Sequence, residues 1–290
     1  MNTSMHDSLN LAWKLNLQIR GLAREELLLT YEDERRKIAQ DLINFDYEHA
    51  NAFHDGDPSA LARNFSKNIR FISGVGAEYG TNLVNHGNTA SASILQLGAL
   101  LPPAKVTRYI DANPVDIQLD IPMLGQFRIY FICPDLQSVA NFLQDTCKEL
   151  SASQMIAAAN AARMSYTKKP RSSSVMEEYV RPERYLSASH IFTPAIVTAT
   201  PKADFELAGL PELLQAGRWT VYLDDQAQQN SNGKHCFEKW IGDMSSTEIA
   251  IANVRPDGYV GKVDRWDAAQ DDGVKAAACI VEYYSAFLNL

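Results

Sequence analysis

The chain has 290 residues with a formal net charge of −8, and 46% of them are hydrophobic and 21% charged. These values are typical of a globular protein of about two domains. The acidic balance excludes a broad nucleic-acid surface, because polyphosphates are bound by dense basic patches. The nearest approach to such a patch, Lys168, Lys169 and Arg171, flanks a proline and is interpreted as a solvated loop. No stretch is long enough to cross a bilayer and no signal peptide is recognised, so a cytoplasmic protein without membrane partners is expected.

The cysteines do not form a recognisable motif. Cys133, Cys147, Cys236 and Cys279 are too far apart in sequence for a CxxC redox or zinc pair. Reduced, largely buried thiols are therefore expected rather than disulfides. His235 is adjacent to Cys236, but neighbouring side chains point in different directions on a helix or strand, so no metal site is predicted.

The first part of the chain is predicted to be helical. Ser4–Asp7 fits the capping-box pattern, and two apolar stripes follow, which predict a helix buried on much of its circumference. A longer helix is predicted from about Glu25 to about His54, with a charged face in solvent. The two stripes are Leu9, Ala12, Trp13 and Leu17, and Leu11, Leu15, Ile19 and Leu22. The charged face is Glu32, Glu34, Arg36 and Lys37.

The second part changes to a pattern of strands and helices. Residues 73–104 are rich in glycine and show weak periodicity, which predicts an extended connector. Val115–Ile121 alternates apolar and polar residues and is predicted to be a strand with one wet face, whereas Phe127–Cys133 is predicted to be a central buried strand. The order of elements predicts an α/β fold of the thioredoxin-like type, with parallel strands linked by helices and a terminal hairpin. The later elements are a helix at 136–150, an insertion at 151–184, strands at 191–198, 219–224, 249–254 and from 259, and a helix at 272–288.

Motifs for catalysis or nucleotide binding are absent from the sequence. The string closest to GxGxxG, Gly74–Gly80, has one residue too many before its last glycine and lies between loops, so it is interpreted as a linker. The sequence has no P-loop, no GxSxG elbow and no HExxH helix. No catalytic residue and no metal ligand are therefore predicted.

Two N-terminal segments resemble a known family. Met1–Leu15 resembles the segment that follows the second FAD-binding motif in flavin-dependent aromatic hydroxylases, with Ser8 where alanine is usual. Thr30–Ala39 resembles the next family element, Y-E-x-E-R-R-P-x-A, with Lys37 in place of proline. Both segments occur here in the family order, so the resemblance extends beyond a single motif.

Two later segments, Gly125–Ile129 and Arg255–Gly261, resemble the C-terminal, thioredoxin-like domain of phenol 2-monooxygenases. The resemblance implies that residues 1–72 are the C-terminal helices of a FAD-binding domain and that 73–104 is a connector. Residues 105–290 would be the thioredoxin-like dimerisation domain. The glycine-rich FAD motifs and the substrate pocket of the family would lie before this segment, so a truncated C-terminal part is expected.

The implied activity is FAD-dependent hydroxylation of a phenolic small molecule with NADPH and O2. The resemblance also implies a homodimer formed by the C-terminal domain, a chain inactive by itself, and a possible separately encoded N-terminal half. The free amides of Met1, Asn2 and Thr3, at the start of the first helix, are the implied FAD contacts, because helix-terminal donors stabilise negative charge on the flavin. Capping of the helix alone is the other interpretation of these three residues.

Two hypotheses of different class remain open. The first is the monooxygenase, and the alternative is a non-catalytic dimerisation or interaction module derived from such an enzyme. A thiol oxidoreductase is disfavoured by the missing CxxC pair. The first two helices are expected to expose Trp13, Leu17 and Phe45, which predicts poor solubility of the isolated chain.

Overall fold

The computed structural model describes residues 2–54, 56–87, 94–161, 182–226 and 233–289. Met1, the basic cluster at 168–171 and most of the predicted insertion lie outside these ranges. The helices are α1 (Asn2–Ile19), α2 (Glu26–His54), α3 (Pro58–Ile72), α4 (Ile117–Asp120), α5 (Ala140–Ala152), α6 (Gln154–Ala161), α7 (Glu212–Ala216), α8 (Cys236–Trp240) and α9 (Gly273–Ser285). The strands are β1 (Lys105–Arg108), β2 (Pro114–Asp116), β3 (Phe127–Cys133), β4 (Phe192–Thr198), β5 (Val221–Leu223), β6 (Glu248–Val254) and β7 (Val260–Asp267).

The strands form one mixed sheet in the order β2-β1-β5-β4-β3-β6-β7. Strands β3, β4 and β5 are parallel, and β6 and β7 form an antiparallel hairpin. The predicted α/β class is confirmed, with parallel strands linked by helices and a hairpin before the last helix. Every residue of β3 is buried, as predicted for a central strand, and Cys133 ends it inside the core.

The predicted strand at Val115–Ile121 is wrong. Three residues form β2, and the chain then makes the short helix α4, which leaves Leu119 73% exposed. The turn brings the carboxylate of Asp120 under the sheet, where it accepts hydrogen bonds from Arg108 at 2.6 Å and from the Tyr222 hydroxyl at 2.7 Å. Because these two partners are buried, they favour the turn over a continued strand.

Helix α1 packs on the sheet domain through Trp13 and Leu17 of one predicted stripe, whereas Leu9 of the same stripe is 46% exposed. Trp13 and Leu17 are 4% and 1% exposed, so the prediction that they would be exposed is wrong. The Trp13 ring meets Phe127 of β3 edge-on, with ring centroids 5.5 Å apart. In the second stripe, Ile19 is 81% and Leu15 37% exposed, whereas Leu22 packs partly buried against the core. The helix is therefore buried on one side rather than on most of its circumference.

The C-terminal residues are attached to the turn between α1 and α2. Ala23 and Leu288 form an antiparallel β-bridge. The Asn289 amide donates to the Leu22 carbonyl at 2.9 Å, and its side chain donates to the carbonyls of Gly21 and Ala23 at 3.1 Å. The last residues of the chain therefore satisfy the carbonyls that the α1–α2 turn leaves free.

The stretch before β1 is packed against the sheet domain, and Gly98 is the tightest point of that packing. Its φ of 77° is in the left-handed region, and a Cβ atom there would lie 2.2 Å from the Tyr79 carbonyl oxygen. We expect Gly98→Ala to lower the free energy of unfolding by about 2 kcal/mol. Urea unfolding would measure the change. Gly80→Ala is the matched control, because nothing lies within 4 Å of a Cβ at that glycine, and equal effects of the two substitutions would contradict the prediction.

Candidate functional site

A cavity of about 150 Å³ lies beside the first turn of α1, between α2 and the end of α3. Three polar residues contribute to its lining: Thr3, His6 and Arg35. Gly74 lines it too, and the remaining lining residues are apolar, namely Ile38, Leu42, Phe45, Phe71, Ile72 and Ala77. The cavity therefore combines an apolar wall with the amino end of a helix and one guanidinium group.

Arg35 connects the first turn of α1 to α2 and to the stretch before the sheet. Its Nε donates to the carboxylate of Asp7, and its Nη1 donates to the Tyr79 hydroxyl at 3.1 Å. Its Nη2 donates to the main-chain carbonyl of Thr3 at 3.4 Å. The rigid, planar side chain of Arg35 is held by these three groups. The contacts join α1, α2 and the stretch before the sheet, and so they fix the position of the first turn of α1.

His6 contributes an uncharged imidazole to the cavity at neutral pH. Burial lowers its pKa and the nearby charge of Arg35 lowers it further, whereas Asp7 and Asp257 act in the opposite direction with smaller effect. Gly74, with φ of 81°, passes close to this ring, and a Cβ there would lie 3.1 Å from the imidazole. The cavity wall at His6 is therefore backbone rather than side chain.

The structure describes two of the three predicted FAD-contact residues. Asn2 is the first residue of α1, Thr3 lines the cavity, and Met1 lies outside the described residues. The helix begins two residues before the position that the capping-box pattern indicates. Contact between these residues and a flavin stays a prediction.

Behind the cavity lies a buried group of four charged residues that we call the Arg255 cluster: Lys14, Glu34, Arg255 and Asp257. Arg255 is completely buried. Its Nη2 donates to Glu34 at 3.0 Å and to Asp257 at 2.7 Å, and its Nε donates to Asp257 at 3.1 Å. Its Nη1 donates to Glu34 and to Asn85. All five N–H groups of the guanidinium therefore have acceptors.

Glu34 is the other centre of the cluster. It is 2% exposed, so its predicted position on the solvent face of α2 is wrong. Its carboxylate accepts six hydrogen bonds, two of them from Arg255 and one from Lys14 at 2.9 Å. The other three donors are side-chain amides, those of Asn10 at 2.7 Å, Asn82 at 2.9 Å and Asn85 at 2.8 Å. This number of partners compensates for the loss of water around a buried carboxylate.

The cluster is electrically neutral, with two acidic and two basic side chains. Burial alone would raise the pKa of Glu34, but Arg255 and Lys14 outweigh burial and hold that pKa at about 2. Burial lowers the pKa of Lys14 to about 8, and the attraction of Glu34 offsets only part of this effect. Arg255 donates two hydrogen bonds to Glu34, whereas Lys14 donates one.

Aromatic rings enclose Arg255. Its guanidinium carbon lies 5.5 Å from the ring centre of Trp13, 5.2 Å from that of Tyr79 and 5.4 Å from that of Tyr259. The two tyrosine rings are 4.4 Å apart. Trp13 also donates from Nε1 to Asp257 at 3.0 Å. These contacts join α1, the stretch before the sheet and the β6–β7 turn around one guanidinium group.

Tyr79 lies between the cavity and the cluster: its hydroxyl accepts from Arg35, which lines the cavity, and its ring lies against Arg255. Arg255 and Glu34 both lie in segments that resemble family motifs, but the sequence analysis did not pair them and predicted Glu34 on a solvent-exposed face. Glu34 and Arg255 are 221 residues apart, so no local pattern could pair them. The available signal for the cluster in the sequence was the adjacent pair Glu34 and Arg35, whose side chains contact different partners.

The described residues contain no group of three or more His, Cys, Asp or Glu side chains placed to hold a metal ion. Among the same residues, no helix has the length and apolar character needed to cross a membrane.

Two family models match the chain. The model for the phenol hydroxylase C-terminal dimerisation domain matches residues 77–289, and an FAD binding domain model matches residues 1–46. Together the two matches include both sides of the Arg255 cluster, since α1 and the start of α2 fall in one and Arg255 falls in the other.

Curated relatives match along nearly the whole chain. A 3-hydroxybenzoate 4-monooxygenase of Comamonas testosteroni is 30% identical over 91% of this chain and 40% of its own length. The FAD-dependent monooxygenase terD of Aspergillus terreus is 26% identical over 95% of this chain and 45% of its own length. A phenol 2-monooxygenase, fsqG, of Aspergillus fumigatus is 26% identical over 93% of this chain and 43% of its own length. The chain thus spans less than half the length of these relatives.

A solved structure shares the fold. The flavin-dependent monooxygenase PieE, in complex with FAD and substrate, matches with a TM-score of 0.51 at 15% identity. The match covers 98% of this chain and 44% of that protein. At this identity the match supports the fold alone.

Proposed function

Because the chain belongs to the family of the phenol hydroxylase C-terminal dimerisation domain, we propose that it forms part of a FAD-dependent aromatic monooxygenase. The proposed reaction is hydroxylation of a phenolic substrate with NADPH and O2. The FAD binding domain match at residues 1–46 and the names of the relatives support this proposal. The rest of such an enzyme would come from the same polypeptide or from a separately encoded N-terminal half.

The observation that carries the proposal is the position of the amino end of α1. This 18-residue helix begins at Asn2, beside a cavity that Thr3 lines. The first amides of a helix have no acceptor within the helix and carry partial positive charge. They fit the electron-rich pyrimidine edge of a flavin, as we propose for Met1, Asn2 and Thr3. Arg35 holds the carbonyl of Thr3 and so orients this turn.

In the proposed enzyme, FAD would supply the redox chemistry of the hydroxylation, with NADPH as the electron donor and O2 as the source of the oxygen atom. The residues of this chain have a supporting role. The backbone amides of the α1 turn would stabilise negative charge on the flavin, and Arg35 would hold the turn in position. The apolar wall formed by Ile38, Phe45 and Phe71 would exclude water from the adjoining space.

The division into domains is likewise a proposal. Residues 1–72 would complete a FAD-binding domain, 73–104 would connect it, and 105–290 would form the dimerisation domain. The connector in this proposal is a packed one, since Val84 and Leu101 are buried. The family description supports a homodimer formed through the C-terminal domain.

A pair of substitutions at Thr3 tests the proposed flavin contact. Proline removes the backbone N–H and is tolerated in the first turn of a helix, whereas alanine keeps the N–H. We expect Thr3→Pro to weaken FAD binding about tenfold, as the loss of one hydrogen bond to a charged group would, and Thr3→Ala to leave it nearly unchanged. Titration of FAD into the purified chain, followed by flavin fluorescence, would measure both affinities.

The outcomes separate the proposal from its alternative. Equal binding by the two variants would contradict the contact at Thr3. A wild-type chain that forms a stable dimer in sedimentation but binds no FAD would mean that this chain is not an enzyme by itself, and the search would turn to its N-terminal half or its partner. Retained FAD in the wild-type chain would favour the monooxygenase, since a module for dimerisation alone has no use for a flavin site.

A further inference from the structure

The cavity beside the first turn of α1 has a closed end and an open side. Three of its lining residues are buried and form the closed end, namely Arg35, Ile38 and Ala77. The other apolar lining residues, on α2 and at the end of α3, are half-buried. A small molecule can therefore enter past these residues from solvent and reach the guanidinium group at the closed end.

The size of the cavity matches one six-membered ring. Its volume is about 150 Å³, and an apolar protein cavity of about this volume holds one benzene molecule. Phe45 and Phe71 form part of the wall, with ring centroids 6.4 Å apart. Aromatic walls favour a flat ring, because aromatic rings pack edge-on or offset against each other. The three fused rings of a flavin are too large for this space, so its ligand would be a different molecule.

Arg35 supplies hydrogen-bond donors at the closed end. Its contacts with Asp7, Tyr79 and Thr3 engage Nε and one N–H group on each terminal nitrogen. Within the part of the chain that the structure describes, these are its only hydrogen bonds, so each terminal nitrogen keeps a second N–H group. A carboxylate can accept from both terminal nitrogens of a guanidinium, and such charge-assisted bonds are stronger than bonds between neutral groups.

We propose that this cavity binds a small aromatic carboxylate with one ring. The ring would lie against Phe45 and Phe71, and the carboxylate would accept hydrogen bonds from Arg35. The same geometry disfavours a cationic substituent, because a guanidinium group donates only and repels positive charge. The site goes beyond the proposed flavin contact, which uses backbone amides of the α1 turn, and it does not depend on that contact.

Calorimetric titration of benzoate into the whole chain, without FAD, tests the proposal on an unchanged protein. We expect a dissociation constant of about 1 mM or lower. Benzylamine, which carries an ammonium group on a ring of the same size, should bind at least about tenfold more weakly. Benzoate binding that does not saturate by about 10 mM, or benzylamine binding of equal affinity, would overturn the proposal. Since no flavin is present, either result leaves the Thr3 test separate.

Two neighbouring residues of α2 offer a matched pair of variants that locates the ligand. Leu42 lines the cavity, so Leu42→Trp should fill it and weaken benzoate binding at least about tenfold. Ile43 is 61% exposed, so Ile43→Trp should leave the affinity unchanged. Hydrogen exchange of the wild-type chain is the second measurement: benzoate should slow exchange at residues 71–77 and not in α5. Equal affinities of the two variants, or protection confined to α5, would contradict the proposed site.

Discussion

Replacing Arg255 by methionine is expected to lower the free energy of unfolding by about 4 kcal/mol, because it leaves buried carboxylates without their main partner. Glu34 would lose two of its six hydrogen bonds, and Asp257 would keep only Trp13 as a hydrogen-bond donor. The ring-enclosed space around the guanidinium would also be filled imperfectly. Urea unfolding at neutral pH, followed by far-UV circular dichroism, would measure the loss.

The control for this substitution is Arg36→Met on the same chain. Arg36 pairs with Glu32 on the exposed face of α2, where the two side chains are 74% and 63% exposed. Removing such a pair should change stability by less than about 0.5 kcal/mol. In addition, the double variant Arg255→Met with Glu34→Gln should lose less free energy of unfolding than the two single variants lose when their losses are added. Equal losses of unfolding free energy for Arg255→Met and Arg36→Met would show that burial of the cluster adds nothing to stability.

The stability that Glu34 contributes should disappear in acid. The pKa of Glu34 is held at about 2 in the folded chain, below its ordinary value of 4.5. A depressed folded-state pKa stabilises the protein above the unfolded pKa, and this stabilisation is lost as the pH falls through the folded pKa. The difference in stability between wild type and Glu34→Gln should therefore be about 3 kcal/mol at neutral pH and shrink between pH 4.5 and pH 2.

Urea unfolding at a series of pH values would follow this difference. Glu32→Gln is the matched control, since Glu32 lies two residues away on α2 with an exposed side chain. Its difference from wild type in the free energy of unfolding should stay small, because the Glu32–Arg36 pair is exposed. A Glu34→Gln difference that does not change between pH 4.5 and pH 2 would mean that the carboxylate is not held by the ion pairs that the structure describes.

The architecture was predictable where residues repeat with a clear period. The continuous apolar run of β3 and the turn before β7 identified the central strand and the hairpin. The alternation of apolar and polar residues at Val115–Ile121 gave a wrong strand prediction, because the partners of Asp120 lie far away in sequence and favour a turn. In the alanine-rich α9, the spacing predicts one apolar face that contains Val274, Ala277, Ala278, Val281 and Tyr284; Ala277 and Tyr284 are buried, but Val274 is 44% exposed.

The site was predictable only in part. The resemblance directed attention to the start of α1, and the structure has a cavity at Thr3. The resemblance could not reveal the Arg255 cluster, because charged residues on a long helix are usually exposed. Glu34 and Glu32 are both acidic residues of the same helical turn, and only the tertiary partner decides which one is buried. That information lies in residues 82–85 and 255–257, not near α2.

The attachment of Asn289 to the α1–α2 turn has a consequence for synthesis on the ribosome. The turn emerges well before Asn289, which satisfies its carbonyls. Arg255 likewise appears long after Glu34. Until then, α1 and α2 lack Arg255, the charged partner of Glu34, and the β-bridge between Ala23 and Leu288. Loops of more than two hundred residues must close before these contacts can form. The nascent helices must therefore be kept from other apolar surfaces until translation of this segment is complete.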